Sequence, residues 1–142
     1  MSSLDHIYIA VSDYGRAKAF YMAALEPLGI ELVMERGDTG AFGRGNRPEL
    51  WIAVRSRSAK GCGINDSATS HAPAESPPIT QVHVAVAASS RDQVDAFYRA
   101  AITAGGVGNG LPGLRPEYHS TYYGAFVIDP DGHNLESVFH GF

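Results

Sequence analysis

The chain contains one unit twice. With His6 set on His83, an offset of 77 residues, HIYIAVSDYGRAKAFYMAALEPLG lies on HVAVAASSRDQVDAFYRAAITAGG without a gap. His6 meets His83, Ser12 meets Ser89, and Ala19-Phe20-Tyr21 meets Ala96-Phe97-Tyr98. Ala23-Ala24 meets Ala100-Ala101, and Gly29 meets Gly106. A repeat of this kind confines the fold to two copies of one supersecondary unit that share a core. A chain of 142 residues is long enough for one such domain. The reading is a single domain over 1–142, with module 1 over 1–55 and module 2 over 80–142.

Each copy opens on a short apolar segment with β-branched residues, His6–Val11 and His83–Ala87, which predicts a strand. Asp13 is placed to cap a helix in the first copy. Ser90 with Gln93 has the form of a capping box in the second. Ala17, Phe20, Tyr21, Ala24, Leu25 and Leu28 then recur at helical spacing, as do Val94, Phe97, Tyr98, Ala101 and Ile102. Gly29 and Gly105-Gly106 supply helix stops. Three further strands are expected after each helix, near 30–36, 39–43 and 49–55, and near 107–110, 121–129 and 134–139. The predicted fold class is therefore α+β, two βαβββ modules.

A weaker repeat links the later strands. Gly40-Ala41-Phe42 recurs as Gly124-Ala125-Phe126. A turn follows each, GRGNRP in one copy and DPDGHN in the other. The turns differ by one residue, so Leu50 aligns with Leu135 and Trp51 with Glu136. The segment RSRSAKGCGINDSATSHAPAESPPIT (55–80) is rich in Ser, Ala, Gly and Pro. It reads as a linker over 56–79, or as a loop folded over something.

Charge and composition exclude several classes. Eleven Lys and Arg stand against 15 Asp and Glu, a net charge of −4, with no basic stripe for nucleic acid. No apolar run approaches a membrane span, and MSSLDHIYIAV lacks the pattern of a signal peptide. One cysteine, Cys62, excludes an internal disulfide and fits a reducing, cytoplasmic setting.

The chemistry concentrates on three residues. His6 and His83 hold the same repeat position on first strands. Glu136 sits three residues into a strand after DPDG, among apolar neighbours, where a carboxylate is costly unless something compensates it. Two imidazoles and a carboxylate form a set that binds a divalent metal and leaves positions open for substrate, provided the sheets curve together. The alternatives are ordinary. A strand histidine is more often a packing or surface residue, Glu136 could be exposed or paired with an Arg, and strand tyrosines usually pack. His133 beside the turn reads as pointing to solvent, and His71 and His140 as loop and tail residues. His119 and Tyr118, with Tyr122 and Tyr123, stand just before a strand and could line a pocket.

The first-strand His, the AFY helix, the second first-strand His and DPDGHNLE (129–136) together resemble the vicinal oxygen chelate superfamily. That superfamily includes glyoxalase I, extradiol dioxygenases, fosfomycin-resistance transferases and bleomycin-binding proteins. The resemblance covers nearly the whole chain except about 56–79. It implies paired modules forming a cupped mixed sheet around a divalent metal, Zn, Ni, Fe or Mn, which stabilises an enolate or oxyanion on a small oxygenated substrate. His6, His83 and Glu136 match three metal positions of the family. The fourth, a Glu in glyoxalase I, falls on Trp51, and Glu49 reaches it only if the register slips by two.

The resemblance further implies catalytic roles for Glu136, Glu49 and Tyr122, and a pocket lined by Tyr8, Trp51, His119, Tyr123 and Phe126. Lyase, isomerase and dioxygenase chemistry all remain open, and a metal would be lost as the histidines protonate. The alternative is a metal-free protein of the bleomycin-resistance kind that sequesters a ligand. A homodimer is expected in either case, with the cup completed within one chain or across two.

Overall fold

The computed structural model describes residues 2–54 and 78–142, so the expected linker lies almost wholly outside the described residues. The first unit runs β1 (Ile7–Val11), α1 (Tyr14–Leu25), β2 (Glu31–Arg36), β3 (Thr39–Gly43) and β4 (Leu50–Val54). The second runs β5 (His83–Ala87), α2 (Arg91–Thr103), β6 (Val107–Leu114), β7 (Tyr123–Ile128) and β8 (Asn134–Phe139). Each unit is βαβββ, as the repeat predicts. Each forms a four-stranded mixed sheet, in the orders β1-β4-β3-β2 and β5-β8-β7-β6. The first and last strands of a unit are parallel because the helix crosses between them, and the other pairs are antiparallel. Among the described residues no helix is long and apolar enough to cross a membrane.

The helix starts follow local chemistry. Asp13 Oδ1 accepts from Arg16 N at 3.0 Å, and Ser90 Oγ accepts from Gln93 N at 3.2 Å. Gln93 Oε1 reaches back to Ser89 N at 2.7 Å, one residue before the expected partner. After α1 a single 3-10 turn, Glu26–Leu28, ends at Gly29 with φ of 72°, a left-handed conformation that favours glycine.

Both helices lie on the same core. Ala17, Phe20, Tyr21, Ala24, Leu25 and Leu28 are buried, and Val94, Phe97 and Ala101 join them in one continuous cluster. Ile102, predicted on that face, is exposed, because it falls at the margin of the apolar arc. β6 extends to Leu114, beyond the expected 110. Two register shifts, between Gly108 and Gly110 and between Gly110 and Gly113, carry Pro112 along an edge strand. Pro and Gly obscure the strand pattern in the sequence, and an edge tolerates both.

The DPDGH turn (129–133) fastens the second unit to the first. Asp129 is buried; its Oδ1 accepts from Asp131 N and His133 N, both at 2.8 Å, and its Oδ2 accepts from Tyr21 Oη at 2.6 Å. Asp131 Oδ1 accepts from Ser12 N at 3.0 Å. His133 is 1% exposed, which corrects the expectation that it faces solvent. Its Nδ1 accepts from Val82 N at 3.1 Å and its Nε2 donates to Ala10 O at 2.7 Å. Both ring nitrogens bond backbone, so one neutral tautomer is fixed. On the other side Arg44 donates to Leu28 O and, at 2.5 Å, to Ala87 O.

Candidate functional site

The sheet registers fix which side chains share a face. Tyr8 pairs with Trp51 across β1 and β4, and Ala85 pairs with Glu136 across β5 and β8. Tyr8 and Ala85 are each two residues past the repeated histidine. Trp51 and Glu136 therefore occupy one repeat position, and Glu49 does not displace Trp51 from it. On the other side of the last strand Trp51 pairs with Ala41, whereas Glu136 pairs with Phe126. Ala41 thus corresponds to Phe126, and the two Gly-Ala-Phe segments are offset by one residue. One residue reverses the face. Phe42 packs under the sheet 6.0 Å from the Tyr21 ring, while Phe126 lies on the face away from the helices, 6.0 Å from the His83 ring.

On that face of the second unit His83, Glu136, Phe126 and Tyr122 come together. Glu136 is 2% exposed. Tyr122 Oη donates to its Oε1, and His83 Nε2 lies 2.8 Å from its Oε2, donating to it when protonated there. These donors offset the cost of burying a carboxylate. Burial, and then the bond to Glu136 and its charge, raise the Tyr122 phenol well above the usual tyrosine range.

The first unit gathers His6, Tyr8 and Trp51. The Tyr8 and Trp51 rings stack at 5.2 Å and 16°, and the His6 ring meets them edge-on at 6.0 and 6.4 Å. His6 Nδ1 donates to Asp5 Oδ1 at 2.6 Å, and that bond holds the Asp5 carboxyl below its usual range. A carboxylate on one ring nitrogen is the arrangement that orients a metal-ligating imidazole. Trp51 Nε1 is buried with no hydrogen-bond partner among the described residues. Glu49, just before β4, lies 3.7 Å from Arg47 Nε.

The other sequence candidates divide. His119 stands edge-on to Tyr122 at 5.3 Å. Its Nδ1 accepts from Thr121 N at 3.2 Å, so its Nε2 donates to His140 Nδ1 at 2.9 Å. Tyr123 is on the opposite side of β7 from Phe126 and does not join Glu136. Its hydroxyl donates to Asp95 Oδ1 at 2.7 Å, with the Arg91 guanidinium 5.1 Å from its ring. Strand alternation separates Tyr122 from Tyr123, a distinction that two adjacent tyrosines conceal in the sequence.

The donor chemistry suits a divalent ion in part. Two neighbouring ligands about 2.1 Å from one ion stand roughly 3.0–3.4 Å apart, so the His83 Nε2–Glu136 Oε2 contact at 2.8 Å is a hydrogen bond that would open slightly to admit an ion. The third residue is elsewhere: among the described residues no three His, Cys, Asp or Glu side chains are grouped so as to hold a metal. His6 precedes β1 in the first sheet, and the His83–Glu136 pair is carried by β5 and β8 in the second.

Sequence reading passed over Arg115. Its guanidinium lies 5.4 Å from the Phe126 ring and bonds the carbonyls of Leu111 at 2.6 Å and Leu114 at 3.3 Å. The signal available was an arginine closing the glycine-rich run GNGLPGLR.

Comparison with known proteins agrees with this architecture. The chain resembles the solved structure of a glyoxalase/bleomycin resistance protein from Albidiferax ferrireducens T118, with a TM-score of 0.74 and 26% identity over 96% of this chain and 98% of that one. It shares the fold of lactoylglutathione lyase from Agrobacterium tumefaciens, with a TM-score of 0.63 and 19% identity over 97% and 93% of the two chains. It shares it likewise with TioX from Micromonospora sp. ML1, with a TM-score of 0.63 and 15% identity over 98% and 99%. No curated protein matches. The model of one family matches residues 3–137, and the chain belongs to that family, the Glyoxalase/Bleomycin resistance protein/Dioxygenase superfamily.

Proposed function

We propose that the chain is a divalent-metal-dependent enzyme of this superfamily, acting on a small oxygenated substrate, with His6, His83 and Glu136 as the metal ligands. The observation that carries the reading is Glu136, a carboxylate 2% exposed and placed 2.8 Å from His83 Nε2. A bound divalent ion would supply Lewis-acid polarisation of substrate oxygens. Tyr122 keeps its proton at neutral pH, so it acts as a donor that orients Glu136 rather than as a base. With Trp51 where a second carboxylate would stand, proton transfer falls to Glu136, and the Tyr8–Trp51 stack forms an aromatic wall. Glu49, beside Arg47, is a secondary candidate for the base.

In this reading His6 and the His83–Glu136 pair are two half-sites, each completed by a second copy. Within one chain the units are tied by Tyr21 to Asp129, His133 to Ala10 and Arg44 to Ala87, which opposes swinging one sheet onto the other. A two-fold homodimer places the first unit of each protomer against the second unit of its partner.

Mixing variants tests both statements. His6→Ala and Glu136→Ala proteins should each retain little Zn, Ni, Fe or Mn. Unfolded and refolded together they should regain metal in about a quarter of the sites, because half of the dimers are mixed and each mixed dimer has one intact site. No recovery in a mixture that does form mixed dimers counts against the shared site. A wild-type protein that binds none of these ions defeats the metal reading.

One observation favours a second reading, a ligand-sequestering protein without metal: the Tyr8–Trp51 stack occupies the fourth ligand position. Calorimetry showing ligand binding unchanged by chelator and weakened by Trp51→Ala would select it.

A further inference from the structure

We infer that Arg115 is the anion-recognition residue of this site, and that the substrate carries an oxyanion group, a carboxylate or a phosphate. The inference rests on the reading that the face bearing Glu136 binds substrate.

Arg115 is held in place before any ligand arrives. Its guanidinium lies 5.4 Å from the Phe126 ring, whose other ring neighbour is His83 at 6.0 Å. Its two terminal nitrogens bond carbonyls of the bulged β6 strand, Nη2 to Leu111 and Nη1 to Leu114. Glycines make the room. A Cβ on Gly110 would stand 3.2 Å from Nη2, and one on Gly113 would stand 3.2 Å from Nη1.

Its charge is not spent on the protein. Among the described residues no Asp or Glu forms an ion pair with Arg115. Two of five N–H donors are engaged by carbonyls, which leaves donors for a planar anion. A residue needed only to close the β6 bulge would not require a guanidinium, and this one lies over Phe126, which pairs with Glu136 across β7 and β8, while its backbone N–H donates to Tyr122 O at 2.8 Å.

The test uses the full chain stripped of metal by chelator, so that it does not depend on whether the metal reading holds. Sodium benzoate, inorganic phosphate and neutral benzamide are titrated while the Arg115 Nε–Hε resonance is followed by NMR. The expected result is a saturable shift with benzoate, with phosphate or with both, and none with benzamide. Benzoate alone assigns a carboxylate substrate and phosphate alone a phosphorylated one. Arg115→Met should weaken the anion binding about tenfold or more at an unchanged melting temperature. Absence of a saturable shift with either anion overturns the inference, as does equal binding by Arg115→Met. If that variant does not fold, the wild-type resonance decides.

Discussion

His133 donates from Nε2 to the carbonyl oxygen of Ala10 at 2.7 Å, across 123 residues of chain. Val82 N donates to the other ring nitrogen, and Asp129 receives the His133 backbone N–H. The turn beside Glu136 is therefore a joint between the repeats as well as a reversal of chain. His133→Ala would leave a backbone donor and an acceptor short of partners inside the joint. It should cost about 2–4 kcal/mol, read as a lower midpoint in urea unfolding. A change under about 0.5 kcal/mol would show that the joint is not held by this ring.

Ser137 lies on the core side of β8, fully buried, and its hydroxyl has no partner among the described residues. An unmade hydrogen bond in an apolar site is a cost without a return. Ser137→Ala should be neutral or stabilising by up to about 1 kcal/mol in the same measurement. Clear destabilisation would mean that the hydroxyl is bonded in solution.

Alkaline pH should weaken the fold through its tyrosines. Tyr14, bonded to Glu35 Oε2 at 2.6 Å, and Tyr122, bonded to Glu136, are both raised above the usual value near 10, with burial the largest cause. A raised folded-state value means that the native state holds its proton after the unfolded chain has released it. This stability is fully present below about pH 10 and is lost as pH climbs through the folded values. Denaturation midpoints should fall above about pH 10, and Tyr14→Phe/Tyr122→Phe should flatten the fall. An equal slope in that variant would assign the loss elsewhere.

Metal content separates the two proposed functions. Protein prepared without chelator should carry about one divalent ion per chain, removable by chelator and absent from His83→Ala. The melting temperature should fall on removal, because an ion bound only to the native state stabilises it. Unchanged melting with and without each ion would favour the metal-free reading.

The Tyr122 hydroxyl offers a finer measurement. Tyr122→Phe keeps the ring and removes the donor to Glu136 Oε1. Metal affinity should fall by about 10–100-fold, the usual effect of losing a group that orients a ligand. Equal affinity would show that Glu136 is positioned without Tyr122.

The repeats settled the βαβββ order, both helix N-caps and, except for Ile102, the buried helix faces, because those depend on spacing within a few residues. They also placed Trp51 on Glu136, since the one-residue difference between the turns is visible in the chain. What they could not give is the consequence of that extra residue for Gly-Ala-Phe. Identical letters put Phe42 under one sheet and Phe126 on the outer face of the other, because strand side chains alternate and only the ladder pairing sets their phase. His133 was beyond sequence reading for a related reason, since its partners lie on β1 and just before β5. Arg115 was hidden among scattered basic residues until the β6 bulges aimed it at Phe126. The repeat singles out His6 and His83, and the place of Glu136 after DPDG among apolar neighbours singles out the third residue. That His6 lies apart from the His83–Glu136 pair follows from how the units pack, and packing is set by contacts between residues far apart in the chain.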